Sequence, residues 1–380
     1  MMKTRLFLVL SFFTLLLNSQ TLTSNSTGFF EFTPTGPLSS KTMKVFYHIP
    51  NGSINQMPIL FSFHGDARNA DEYRDYWISM ANQHKIMVFA PEFSEANFPG
   101  GDAYNLANIF DDGDNPSRST FNATNEWTFS VIEPLFEQIK QAVSGSQEGY
   151  SAWGHSAGAQ FLSRFVLYMP NSKLNVAVCS NAGWYTVPET TIDFPYGIKN
   201  GQLSENTLIS AFSKKIVVHL GLNDTNPNDA GLRHNTIVDN QQGLHRLKRG
   251  RYFFSTSQSK AQSLNTTFNW EKKEVANVGH NPQLMANNAL TIFLNSSLST
   301  NYYSNPTTFK IYPNPTKDFL FVDTSISKIS KIEIYSIIGS LVLSKKLTTI
   351  NSTEKLDISK LPNGVYFLKI NSSAIKFIKN

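Results

Sequence analysis

Cysteine is almost missing from this chain: Cys179 is the only one in 380 residues, so no intramolecular disulfide can form and the fold must rest on burial and hydrogen bonding. Cys179 follows Leu174-Asn175-Val176-Ala177-Val178, which reads as a buried strand, so packing is its expected role. Long apolar runs are missing too. The run from Leu6 to Leu17 is too short for a membrane span. With Lys3 and Arg5 before it and Asn18-Ser19-Gln20 after it, residues 1–19 read as an export signal, and the rest as a soluble, exported protein. Charge is sparse at 16%, and the net +5 is unevenly placed. From Pro306 onward eleven lysines face five carboxylates, which leaves the body slightly acidic and gives it no footprint for nucleic acid. The run His245-Arg246-Leu247-Lys248-Arg249-Gly250-Arg251 reads as a solvated face or helix end, with an anionic-substrate site as the minor alternative. The Asp111-Asp112-Gly113-Asp114 run lacks calcium-loop spacing and a closing Glu, so a solvated loop is expected. No metal and no cofactor is expected.

What is present is an alternation. Residues 20 to 40, rich in Ser, Thr and Asn, read as a lead-in. Met43 to Ile49 alternates as an edge strand, while Ile59 to Phe63, Ile86 to Ala90 and Ile216 to Leu220 are continuous apolar runs of the kind covered on both faces. Between them lie helical patterns: Tyr73, Trp77 and Met80 after a capping Asn69, and Glu126 to Val143, with Trp127 and Ile139 on one stripe and a kink expected at Pro134. A last strand is expected over Phe268 to Val275, then a helix capped by Asn281 with Pro282 in first position, ending near Leu294. Residues 92 to 124 lose all periodicity but keep Phe93, Phe98, Tyr104 and Phe110, which suits a loop packed over something. Strands alternating with helices predict an α/β fold with a mostly parallel sheet and helices on both faces. After a Ser/Asn/Thr linker at 296–308 the pattern changes to short alternating strands, so 309–380 is predicted to be a small all-β sandwich.

The chemistry centres on Gly154-His155-Ser156-Ala157-Gly158. It lies between a short apolar run and a helical pattern, the strand–turn–helix setting in which G-x-S-x-G lifts a serine hydroxyl above a sheet. A serine hydroxyl is a weak nucleophile at neutral pH and needs a base oriented by a third group. Asp224 follows the strand ending at Leu220, and His280 follows the strand ending near Val275. Asp229 is the rival acid, farther from its strand end. His219 sits inside an apolar strand and suits a satisfied core histidine; His155 is expected to point away from the site; His234 and His245 precede the last strand.

In the order Ser156, Asp224, His280, residues 20–295 resemble an α/β-hydrolase, with most likeness to secreted esterases of the poly(3-hydroxybutyrate) depolymerase and feruloyl esterase kind. The resemblance implies Ser156 as nucleophile, His280 as general base and acid, and Asp224 as orienting carboxylate. It implies His64-Gly65 as the oxyanion loop, with a structural His64. The backbone N–H groups of Ala157 and Asp66 would be the two oxyanion donors. Trp184, Tyr185 and Phe93 are candidates to border the substrate. The implied activity is hydrolysis of a carboxylic ester, small or polymeric, through an acyl-enzyme. A serine peptidase on the same fold and a non-catalytic surface protein are the alternatives.

The tail carries a second resemblance. Tyr312-Pro313-Asn314-Pro315-Thr316, then Ile334 to Gly339, then Leu361-Pro362-Asn363-Gly364-Val365-Tyr366, with Lys376 and Lys379 near the end, is similar to a type IX secretion C-terminal sorting domain. That likeness implies a partner in the type IX secretion machinery and export through the periplasm of a Gram-negative bacterium, to the cell surface or beyond. A carbohydrate-binding module is the other reading of the tail.

Overall fold

The computed structural model describes residues 22–300, 309–324, 331–337, 339–346, 353–370 and 373–380. The expected export signal and part of the expected linker lie outside them. Among the described residues eight strands make one sheet: β1 (Ser26–Phe32), β2 (Met43–Ile49), β3 (Ile59–Phe63), β4 (Met87–Pro91), β5 (Tyr150–His155), β6 (Leu174–Ser180), β7 (Lys215–Gly221) and β8 (Glu271–Val275). Their order is β1-β2-β4-β3-β5-β6-β7-β8. The first two pairings, β1 with β2 and β2 with β4, are antiparallel; from β4 through β3 to β8 every pair is parallel. The helices are α1 (Ala70–Asp75), α2 (Ile78–His84), α3 (Gly100–Ala103), α4 (Ile132–Ala142), α5 (Ala157–Tyr168), α6 (Glu205–Ser213), α7 (Thr236–Gln242), α8 (Arg246–Ser263) and α9 (Pro282–Thr300).

The continuous apolar runs became the inner strands because each is covered twice. One face meets Phe136, Phe161, Phe165 and Phe253; the other meets Trp77, Met80, Met285 and Phe293. That double burial supplies most of the driving force, at roughly 25 cal/mol per Å² of apolar surface removed from water. The C-terminal ends of β3, β5, β6, β7 and β8 thus point the same way, which gathers their following loops at one edge.

Several expectations change. The lead-in contains β1, whose Phe30 and Phe32 are buried between the exposed Phe29 and Glu31 and the exposed Thr33. The helix expected from residue 126 begins as two 3₁₀ turns and becomes α4 only at Ile132. Pro134 therefore falls in the first α-helical turn, where its missing N–H has no partner to lose. The last strand starts at Glu271, and α9 runs past Leu294 to Thr300, into the expected linker. Asn281 does cap it, accepting from Leu284 N–H at 2.9 Å.

The chain divides into two compact units at Ser296/Ser297. In the second, β9 (Phe309–Tyr312), β10 (Phe319–Thr324) and β13 (Thr353–Asp357) form one sheet. The other sheet comprises β11 (Lys331–Ser336), β12 (Leu341–Lys346), β14 (Gly364–Ile370) and β15 (Ser373–Lys379). Leu320, Val322 and Leu356 from the first sheet bury with Ile332, Ile334, Leu368, Ile370 and Phe377 from the second, giving this unit its own core. Among the described residues no helix is long and apolar enough to cross a membrane.

Candidate active site

β5 ends at His155, and α5 begins at Ala157, so Ser156 alone makes the turn, at φ 55° and ψ −118°. A non-glycine residue held there is strained, a state that persists only where the surroundings fix it. They do. A Cβ on Gly154 would lie 2.3 Å from Gly158 O, and one on Gly158 would lie 2.2 Å from Phe63 O. Only hydrogen fits at either position. Ser156 N–H also donates to Ser180 O at 3.0 Å, which ties the apex to β6.

The oxyanion loop follows β3. His64 is wholly buried; its Nε2 accepts from Phe93 N–H at 3.0 Å, and its Nδ1 lies 2.9 Å from Gly65 O. Burial pushes its pKa down to about 3, so the ring is neutral and serves as a brace. Gly65 sits against the nucleophile: a Cβ there would lie 3.7 Å from Ser156 Cβ and 2.8 Å from Tyr73 Oη. The next turn closes through Arg68 N–H to Gly65 O, and Asp66 N–H, inside that turn, has no bond to any described residue. Ala157, first residue of α5, likewise has an N–H with no carbonyl to meet in its own helix.

Asp224 and His280 come together from different strands. Asp224 is buried, and its Oδ2 lies 2.8 Å from His280 Nδ1. Among the described residues this is the only side-chain hydrogen bond of His280, so Nε2 is free to face a reacting group, and none joins it to the Ser156 hydroxyl. Unliganded sites commonly hold the nucleophile and base slightly apart. His155, expected to point away, does turn from solvent, yet its ring lies 4.4 Å from that of His280 and 3.2 Å separates its Nδ1 from Tyr73 Oη. Burial and the neighbouring His280 hold His155 well below the usual histidine range, so a neutral ring backs the base.

Asp229 joins the site indirectly. Arg246 Nη1 donates to Asp229 Oδ2 at 2.6 Å and lies 3.4 Å from Asp224 Oδ1. The basic run is therefore no solvated face: Arg246 and Arg249 are buried, and Arg249 reaches Asp239, Gly183 O and Gly243 O. Sequence reasoning missed both. The clue was their spacing, three apart on one face with Leu247, Gly250 and Phe253. His219 is a satisfied core histidine, between Ser180 Oγ at 2.8 Å and Asn288 Oδ1 at 3.0 Å.

The candidate substrate residues fare differently. Phe93 is fully buried against Phe98, Tyr104 and Phe161. Tyr185 stacks on Phe253 at 4.4 Å, also fully buried. Both are packing residues, since neither has surface left for a ligand. Trp184 is nearly buried, with the guanidinium of Arg164 at 4.1 Å and that of Arg233 at 4.9 Å from its ring centre. Among the described residues no group of His, Cys, Asp and Glu could hold a metal ion.

Comparison with known proteins agrees with this architecture. Poly(aspartic acid) hydrolase-1 from Sphingomonas sp. KT-1 is 35% identical, with 71% of this chain covering 99% of that one at a TM-score of 0.66. LpqC, a poly(3-hydroxybutyrate) depolymerase from Bordetella parapertussis, is 25% identical, with 71% of this chain covering 90% of that one, also at 0.66. No curated protein matches the sequence. Residues 310–380 match the secretion system C-terminal sorting domain. The chain therefore belongs to the α/β-hydrolases, as a hydrolase body followed by a secretion sorting domain.

Proposed function

We propose that this protein is a secreted serine hydrolase that cleaves carboxylic esters through an acyl-enzyme. The observation that carries the reading is the 2.8 Å pairing of a buried Asp224 with the His280 ring, at the strand edge where Ser156 is held in a strained turn. Ser156 Oγ attacks the ester carbonyl while His280 Nε2 takes its proton. Asp224, bonded to Nδ1, keeps Nε2 the accepting nitrogen and stabilises the imidazolium. The N–H groups of Ala157 and Asp66 receive the developing oxyanion. His280 then gives its proton to the departing alcohol. In the second half, water loses a proton to His280 as it attacks the acyl group, and the carboxylic acid leaves with Ser156 Oγ reprotonated.

A second reading has its own support. The Sphingomonas relative is a poly(aspartic acid) hydrolase, and that polymer is joined by amide bonds. The same catalytic set would cleave them by the same steps. The tail likeness supports export by the type IX machinery through the periplasm of a Gram-negative bacterium, with residues 310–380 as the address.

Ser156→Ala should abolish hydrolysis of p-nitrophenyl esters and block labelling by a fluorophosphonate that modifies the wild type. A panel of p-nitrophenyl esters, poly(3-hydroxybutyrate) and poly(aspartic acid) separates the two readings. Full ester activity in Ser156→Ala would refute both.

A further inference from the structure

We infer that Arg246 and Asp229 form a clamp on the orienting carboxylate: Arg246 is a positioning residue for the reaction, and Asp229 acts on it only through Arg246. The inference rests on the proposed roles of Ser156, Asp224 and His280.

Asp224 is held from all sides. Its backbone N–H donates to Gly221 O at 3.1 Å, and its carbonyl accepts from Leu247 N–H in the first turn of α8 at 3.2 Å. One carboxylate oxygen serves His280, and the other faces Arg246. A buried carboxylate with partners on both oxygens cannot rotate, which fixes the direction of its bond to the imidazole.

The distances divide the guanidinium unequally. A free arginine beside a buried carboxylate would close to about 2.8 Å and drain charge from the partner on the other oxygen. Here the same Nη1 is at 2.6 Å from Asp229 but 3.4 Å from Asp224. Asp229 holds the cation back, so that Asp224 keeps most of its charge for His280.

Charge counting says how the clamp acts. The Arg246 guanidinium and the Asp229 carboxylate cancel, so Asp224 and a neutral His280 leave one net negative charge in the cluster, and the sum is zero when His280 takes the serine proton. Removing the Arg246–Asp229 pair would leave that change the same, so the clamp contributes by fixing the direction of the Asp224–His280 bond. The other groups facing it leave this balance alone. Burial holds His155 and His245 below the usual histidine range and His219 at about 4, while it pushes Tyr73 and Tyr185 upward, so all are neutral near pH 7. The nearby cation Arg249 is paired with Asp239.

The test uses the full-length exported protein and four variants: Arg246→Met, Arg246→Lys, Asp229→Asn and the Arg246→Met/Asp229→Asn double. Active sites are counted by fluorophosphonate burst, and kcat per site is measured on p-nitrophenyl acetate. Arg246→Met should lower kcat about tenfold or more at unchanged KM, the scale of a displaced orienting group. Lysine should restore part of it. Asp229→Asn should lower kcat by less, and should cost nothing further in the Arg246→Met background. A purely structural role would reduce the number of active sites but leave kcat per site intact, which would overturn the clamp. An equal loss from Asp229→Asn in both backgrounds would also overturn it. Should Arg246→Met fail to fold, the half-exposed Asp229 decides: unchanged kcat in Asp229→Asn ends the proposal. If wild type is not labelled at all, the serine reading fails first and takes the clamp with it.

Discussion

Three of the buried histidines set how the protein should respond to acid. His64 is held at about 3 and His219 at about 4, both by burial, and His155 is likewise pushed well down. The unfolded chain returns each to its ordinary value of 6.5. Folded values lie below unfolded ones, so below pH 6.5 the unfolded chain takes up protons that the folded chain refuses. Stability from this source is complete above that pH and is lost as pH falls from there toward 4 and then 3. The slope is roughly 1 kcal/mol per pH unit for each histidine. Urea unfolding at pH 7.5, 6 and 5 should show a steep loss below about pH 6, the range where free histidines charge. His219→Gln should start less stable at neutral pH and lose less on acidification. An unfolding midpoint that does not move between pH 7.5 and 5 would contradict the assignment of neutral buried rings.

At the level of elements, the critical meeting is between the end of β7 and the loop from β8 to α9. Gly221 closes β7, and a Cβ there would lie 2.5 Å from Val278 O and 2.8 Å from Gly279 O. Leu222 N–H donates to Val275 O and Asn223 N–H to Val278 O, each at 2.9 Å. Asn181 spans both segments, accepting from Gly221 N–H at 2.7 Å and donating to Gly279 O at 2.8 Å. The two loops carrying Asp224 and His280 are thus laced backbone to backbone. Gly221→Ala must push the His280 loop aside, because a carbonyl cannot yield as a flexible side chain can. Fluorophosphonate labelling should slow by about tenfold or more with circular dichroism unchanged, since an ångström of misplacement is costly to the reaction. Labelling at the wild-type rate would show that the loop relaxes freely. The same contacts explain what the sequence could reveal. The inner strands were legible because Ile59–Phe63 and Ile216–Leu220 are apolar but for Ser62 and His219, and the elbow because two glycines flank a serine between a strand pattern and a helical one. Asp224 and His280 stood out because each follows a strand end, and the two side chains do meet. β1 was hidden because Phe30 and Phe32 alternate over too short a stretch to stand out from the polar lead-in, and gain their burial only once folded into the core. Arg246 was hidden because a basic residue looks solvated until its carboxylates, more than a dozen residues away, are folded against it.

On the scale of the whole chain, the two units have separate cores and different charge. Phe161, Phe253 and their neighbours fill the body, while Leu320, Ile334, Leu368 and Phe377 fill the tail. Most of the basic excess belongs to the tail, where Lys345 and Lys346 lie on the edge strand β12 and Lys376 and Lys379 on the edge strand β15. Lysines on sheet edges discourage pairing with other chains. β12 still exposes Leu341 and Val342, an apolar patch that the core of the tail does not need. A unit with its own core and no side chain in the Asp224–His280 pairing should be dispensable for catalysis and required for delivery. A chain ending at Thr300 keeps all of α9, including Met285, Ala289 and Phe293, which bury against the sheet. Purified, it should hydrolyse p-nitrophenyl esters with the kcat and KM of the full chain and give the same melting transition for the body. In a host with type IX export, the shortened protein should remain within the envelope, whereas residues 310–380 fused to a passive reporter should carry that reporter out. A truncated chain that loses kcat would mean that the tail completes the site, and one that still reaches the medium would mean that the tail is not the address.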